Sequence, residues 1–262
     1  MLTLTGVSSY SGITYVDAGI LAFTGQGSIL RSSYYEIGAG TLRVQGSGRI
    51  GEAVISLQGG SGRLEVSGST RIGNSITFGQ RSDQSIGILN LDGANMLAGA
   101  ITLTPGGTAA RFQSDAGLLT LDGDITTVAS TSSGVWLQGA GAGVISGVIS
   151  DNPLSENGRI SLNKDGVGRW TIDSTNAYTG ETRLFDGTLT VNGSIARSNG
   201  VTVTGGTLAG MGVLPGTTIR SGGTVSPGDG IGVITTANLV LHGGGNLNWQ
   251  ISNAQGNAGG GW

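Results

Sequence analysis

Three carboxylates raise the question of chemistry first. Asp92, Asp122 and Asp124 stand near the ends of short apolar segments in a chain of 262 residues that has one histidine and no cysteine. Two or three acids projecting together, with an arginine nearby, are what polysaccharide-cleaving β-structures need for general acid–base work. Asp92 and Asp122 hold the same place in a recurring phrase, so they could line one corner on neighbouring rungs. The competing reading is a turn: Asp precedes Gly at 92–93, 122–123, 165–166, 186–187 and 229–230, and Asp is a good residue before a tight corner. The turn reading is the one expected, and no catalytic residue is assigned.

Other chemistries fit less well. Gly46-Ser-Gly-Arg-Ile-Gly51 has dinucleotide-type spacing, but a helix should come after it. The next run is instead the strand-like Glu52-Ala-Val-Ile-Ser-Leu57. Gly59-Gly-Ser-Gly-Arg-Leu64 approaches the calcium β-roll repeat, with Leu where the ligating Asp belongs. His242, after Leu239-Val-Leu241, is expected to point outward with no partner for a triad. Thr-x-Thr pairs at Thr3/Thr5, Thr102/Thr104, Thr188/Thr190 and Thr202/Thr204 could order water if stacked on successive rungs. The outward residues between them, Arg43, Glu65 and Asn90, argue against that. Asn192-Gly-Ser194 fits a glycosylation sequon and is expected to be a turn. No cofactor and no metal are expected.

The elements that would position these residues come from one phrase, Gly-x-Leu-x-(Val/Leu/Phe)-x-Gly. It begins at Gly19, Gly40, Gly62, Gly87, Gly117 and Gly187, with a degenerate copy at Gly206. The first four starts recur with a period of roughly 20–25 residues, in the range of solenoid repeats. Alternation sends the Leu and the second apolar residue to one face and Arg43, Glu65, Asn90, Thr120 or Thr190 to the other. Such a strand cannot bury its Leu alone, and stacked copies can, which is the signature of a solenoid. Leu42, Leu64, Leu89, Leu119 and Leu189 are expected in one interior ladder, with Thr190 outward. A β-sandwich, which also alternates, is the competing fold.

Composition agrees. Fifty-two glycines exclude little by themselves, but no Gly-X-Y period exists, and the regularly placed apolar residues exclude disorder. A net charge of −3 with no Lys/Arg cluster argues against nucleic acid and anionic membranes as partners. No helical period and no apolar run of about 18 residues is present. No signal peptide precedes Leu2-Thr-Leu-Thr5, and Gly259-Gly-Gly-Trp262 is an abrupt stop. A fragment of a longer protein is expected, in one continuous unit over 1–262 with repeat modules at about 2–46 and 144–212.

A longer repeat overlies the short one. Tyr10-Ser-Gly12-x-Thr14-x-Val16-x-x-Gly19-x-Leu21 matches Tyr178-Thr-Gly180-x-Thr182-x-Leu184-x-x-Gly187-x-Leu189 at an offset of 168 (178−10). Gly27-Ser-Ile-Leu-Arg-Ser32 then matches Gly193-Ser-Ile-Ala-Arg-Ser198 at 166 (195−29). Residues 10–46 and 178–212 therefore read as duplicated modules with plainer rungs between.

Leu162-Asn-Lys-Asp-Gly166-Val-Gly168-Arg-Trp-Thr-Ile, continuing through Ala177-Tyr178-Thr-Gly180 to Gly187-Thr-Leu-Thr-Val191, resembles the autotransporter passenger-associated repeat. Val144–Asp151, Gly206–Gly210, Gly222–Gly228 and Trp249–Trp262 are similar to rungs around that repeat, and 2–46 resembles a worn copy. The sequence departs from the pattern at Arg169 and Trp170. The resemblance implies an all-β, right-handed parallel β-helix displayed at a bacterial surface or secreted, a stalk, adhesin or matrix scaffold that aids passenger folding and is not an enzyme. Its partners would be neighbouring segments of the same chain, a surface polysaccharide or other copies. The alternative is a polysaccharide-binding or -cleaving β-helix of the phage-spike kind, which clustered outward acids or aromatic platforms would favour. At ~20 residues per rung the chain holds about 12–13 rungs, roughly 60 Å.

Overall fold

The computed structural model describes residues 1–58, 60–228 and 230–250, and it is all-β. The sequence features at Gly59, Asp229 and 251–262, among them the closing Gly259–Trp262 stretch and most of the Trp249–Trp262 likeness, lie outside the described residues. Parallel strands stack as a β-solenoid whose turns pass three walls. The first wall is one sheet of twelve strands, from Leu2–Leu4 to Leu239–Leu241. The second begins as three strands, Val7–Ser8, Ser28–Ile29 and Arg49–Ile50, and resumes as nine, from Arg71–Ile72 to Asn246–Leu247. The third holds seven strands, from Ile13–Val16 to Ile149–Ser150.

The phrase works as its alternation requires. Leu42, Val44, Leu64 and Val66 are at most 1% exposed, and each such side chain removed from water stabilises by about 1.5–3 kcal/mol. Stacking carries the core onward, Leu42 beside Leu21 on one rung and Leu64 on the next. Gly187 and Gly206, which open two phrases, have φ of 69° and 70°, a conformation that glycine adopts without a Cβ clash.

The single leucine ladder does not form. Leu42 and Leu64 stack in the first wall, whereas Leu119 and Leu189 lie in the second, on either side of Gly143 and Trp170. The phrase moves by one wall between residues 87 and 117. Its fourth copy is the slip itself: Leu64 pairs with Ile88, so Ile88 and Asn90 turn inward and Leu89 falls in the outer row between Glu65 and Gln113. The cause is the Gln80–Gly87 corner. Arg81 is buried there and hydrogen-bonds the carbonyl oxygens of Gly62 and Ile86. The Phe78 ring fills the space a side chain at Gly87 would need, so the strand starts late. Thr190 faces outward in the row with Thr171 and Ala209 but is only 3% exposed; its neighbours cover it.

Rung length varies. In the first wall one turn carries the chain from Leu21 to Leu42, and a wider one carries it from Leu137 to Lys164. The turns then tighten, and the one from Val203 to Ile219 is shorter than either. Among the described residues the twelve first-wall strands, which span about 11 turns, stand at the low end of the expected 12–13 rungs because the middle rungs are long. Where rungs tighten, the third wall ends: the bridges Thr175–Ser194–Val213 and the pair Val213–Leu214 with Thr235–Thr236 stand in for it.

Candidate functional site

The structure does not bring the three aspartates together. Asp92 lies at the corner between first and second walls, where its Oδ1 accepts the Gly68 N–H at 2.8 Å. Asp122 and Asp124 lie one corner further round, accepting the Ser146 hydroxyl and the Val148 N–H, each at 2.8 Å. The one-wall shift of the phrase separates the positions that sequence made equivalent. Each carboxylate ties its corner to an adjacent rung.

The remaining candidates fall into structural places. His242 is exposed, and its backbone N–H donates to the Ile219 carbonyl at 2.9 Å. Gly46–Gly51 is succeeded by the strand Ile55–Leu57, and Leu64 is an inward side chain with no exposure. Asn192 closes a corner by donating to Asp173 Oδ1 at 2.9 Å. The threonines correct the expectation in part. Thr102 stacks on Thr77 and Thr126 in the third wall, a wall that Arg43, Glu65 and Asn90 do not occupy. The adjoining row holds Gly79 beside Thr104, so the hydroxyls form one column rather than stacked pairs. Among the described residues no group of three His, Asp or Glu side chains could hold a metal, and no helix is long and apolar enough to cross a membrane.

What the duplicated modules position is a hydroxyl stitch. The Tyr178 hydroxyl pairs with Thr182 Oγ1 at 2.8 Å, Thr182 with Ser198 Oγ at 3.0 Å, and Ser198 donates to Gly180 O at 2.8 Å. In the first copy Tyr10 pairs with Thr14, Thr14 with Ser32 at 2.8 Å, and Ser32 with Gly12 O at 3.1 Å. The equivalences are those of the sequence offsets, 168 for the Tyr and Thr (182−14) and 166 for the Ser (198−32). Tyr178 is 1% exposed, and burial pushes its phenol well above the usual tyrosine range. Tyr35, whose hydroxyl donates to Ile29 O at 2.7 Å, is pushed up to about 12 by burial.

Sequence reasoning missed Lys164. It occupies the inward first-wall row between Leu137 and Leu184 and has no exposure. Its Nζ donates to the carbonyls of Asp165, Gly166 and Asp186 at 3.0, 2.5 and 3.0 Å, which is how a buried ammonium is tolerated. Burial lowers its pKa to about 8. A cation in the middle of an otherwise apolar inward row was the available signal. Trp170, where the sequence departs from the repeat pattern, turns inward with no exposure, and its Nε1 donates to Gln138 O at 3.2 Å. Gly143, the preceding residue in that row, leaves the space the indole fills.

On the outer first-wall face, Trp136 and Phe185 stack at 5.6 Å and 4°, with the Arg111 guanidinium 4.5 Å from the Trp136 ring centre. Arg111 comes from the rung before Trp136 and Phe185 from two rungs after it. The half-buried indole lies between them, so the stack stitches rungs.

A family model described as the passenger-associated-transport-repeat matches residues 1–23 and 162–209. These two stretches are similar to passenger-associated-transport-repeats. The longer match holds Lys164, Trp170 and the Tyr178 stitch, and the shorter one holds Tyr10 and Thr14. Searches of the curated proteins and of the solved structures found no match. The repeat and the solenoid together support a passenger or stalk segment.

Proposed function

We propose that the segment is a surface-displayed or secreted stalk, an adhesin or matrix scaffold that holds other parts of a longer passenger away from the cell and carries out no reaction itself. Its own neighbouring rungs, further segments of the same passenger and other copies of the chain would be its partners. The observation that carries this is the transport repeat at 162–209 lying on the tight rungs of a first wall that runs through twelve strands. In that setting the repeat also acts as a folding seed during export. A rung in this region closes over a stretch as short as Val203 to Ile219, so a short emerging segment can pack Leu189 on Leu208 and close the Tyr178–Thr182–Ser198 stitch before the wide rungs have formed. Low sequence separation between contacts favours fast closure.

The test places the segment ahead of a bacterial outer-membrane translocator and measures surface display. Removing one in-register middle rung, residues 89–112 (one turn from Ile88 to Phe112), should leave display near the wild-type level. Leu189→Asp should reduce it several-fold. Wild-type display for Leu189→Asp, with loss on removing the middle rung, would overturn the folding-seed reading.

A further inference from the structure

The second wall is split. Its ladder runs unbroken from Val7–Ser8 to Arg49–Ile50 and from Arg71–Ile72 to Asn246–Leu247, and no strand pairing joins Arg49–Ile50 to Arg71–Ile72. The walls on either side continue through the same rungs: Thr41–Gln45 pairs with Arg63–Ser67, and Ile55–Leu57 with Ile76–Phe78. The result is a cleft of about 670 Å³, within the usual range for small-ligand sites. Both ends are fastened. Thr70 Oγ1 donates to Gly46 O at 3.1 Å, while Asn74 Nδ2 donates to Gly51 O and, at 2.6 Å, to Ala53 O. The opening is therefore a held feature of the wall.

Its lining is polar and cationic. Arg49 and Arg71 stand on opposite lips with Glu52 as the one acid. Among the described residues neither arginine has an ion pair; Arg71 Nη1 lies 2.7 Å from Met96 Sδ, a weak acceptor. This contrasts with the neighbouring wall, where Arg43 and Arg63 both reach Glu65. Parallel strands direct alternate peptide groups to each side, so the lips also offer backbone donors and acceptors that no strand fills. A third strand does not suit the gap, since each lip is two residues long and both ends are closed.

We propose that this cleft binds an acidic glycan unit. Arg49 and Arg71 would take a carboxylate or sulfate from two sides, which planar guanidinium groups do well. Asn74 and the lip peptide groups would meet the ring hydroxyls. The Gly46-x-Gly-x-x-Gly51 spacing, rejected as a nucleotide loop, then has a place as one lip of the cleft. The proposal is independent of the stalk reading, which stands whether or not a sugar binds.

Titration calorimetry on the 262-residue chain at low salt tests it, with an oligouronate, a sulfated oligosaccharide and a neutral dextran oligomer of equal length. An acidic oligosaccharide should bind, weakening as salt rises, and the dextran should bind at least tenfold more weakly. Arg49→Gln with Arg71→Gln should weaken binding at least tenfold, and Arg220→Gln, on an exposed residue far along the chain, should not. Gly73→Leu supplies an occluding variant: a Cβ at Gly73 meets nothing within 4 Å, so the side chain can fill the cleft while the melting temperature holds. In the unaltered protein the Nε–Hε resonances of Arg49 and Arg71 should shift on titration, which decides the matter even if a variant unfolds. Equal affinity for dextran, no binding at millimolar oligosaccharide, unshifted arginine resonances, or inorganic sulfate binding as tightly as the sulfated sugar would each overturn the proposal.

Discussion

The two module copies carry the same stitch on scaffolds that differ around it. In the second, Tyr178 is 1% exposed, the rungs are short and the third wall is reduced to bridges. In the first, Tyr10 is 41% exposed and the third wall is a full ladder in which Thr14 pairs with Tyr35. Equivalent strands also sit on different walls. Thr14–Val16 belongs to the third wall and Thr182–Leu184 to the first; Leu21 lies in the first and Leu189 in the second. The module is thus portable around the solenoid axis. What it contributes depends on how completely its surroundings exclude water, because a hydrogen bond protected from solvent is the one that costs most to break.

The largest expected contrast is in the core. Leu189 has no exposure and packs between Trp170 and Leu208. Leu21, its equivalent, is 8% exposed beside Leu2, itself 61% exposed. Leu189→Asp should cost about 3–5 kcal/mol, as an uncompensated buried charge does. Leu21→Asp should cost about 1–2 kcal/mol less, since its carboxylate can reach water. Urea melts of the two variants give the comparison directly, and equal costs would reject the claim that the second copy is the better sealed.

A second contrast tests the packing of Trp170 on the wide rung before it. Gly143→Ala places a methyl group where the Trp170 ring lies and should cost about 1–3 kcal/mol by overpacking. Trp170→Leu in the same chain should return part of that loss. A thermal melt of the double variant that fell by the sum of the two single effects would show that the pair is not coupled.

Much of this was legible because alternation and repeat length are direct consequences of strand geometry. Leu42 over Leu64, the exposed His242 and the Tyr-Thr-Ser offsets follow from the residues alone. The wall assignment did not, since a three-walled turn can move a phrase by one wall without changing its alternation. Leu89 and Asp122 were misplaced for that reason. The split second wall was illegible too: glycine spacing at 46–51 does not state whether the next rung pairs with it. Thr190 shows a further limit, because an outward side chain is covered when its row neighbours crowd it.

Lys164 ties pH to the tight region. Its folded pKa of about 8 lies below the ordinary 10.5 because burial disfavours the charged form. Between those values the unfolded chain holds more protons than the folded one, so stability should rise as pH climbs from about 8 towards 10. The three carbonyl contacts favour the ammonium and limit the gain to about 1–2 kcal/mol. Lys164→Met should remove the rise. Above about pH 10 the trend should reverse, because Tyr35 and Tyr178 resist ionisation when folded and lose protons more readily when unfolded. Urea midpoints measured at pH 7.5, 9 and 10 would show the slope; an unchanged slope in Lys164→Met would assign it elsewhere.

The smallest expected effect separates the copies most cleanly, since it deletes one atom. Tyr178→Phe removes a hydroxyl that meets Thr182 at 2.8 Å inside the solenoid. Thr182 retains Ser198, and Ser198 retains the carbonyls of Gly180 and Gly200 at 2.8 and 3.1 Å. The loss is therefore partial, about 1 kcal/mol. Tyr10→Phe removes the matching hydroxyl from a side chain that is 41% exposed; water can replace it at Thr14, and the cost should stay within about 0.5 kcal/mol. If the difference came only from burial, shielding Tyr10 should erase it. Placing further solenoid rungs ahead of Leu2 would do so, and Tyr10→Phe in that longer chain should then cost as much as Tyr178→Phe. A Tyr10→Phe cost that stayed near zero there would mean that the two stitches differ in their own geometry, and that the worn first copy has lost function along with sequence.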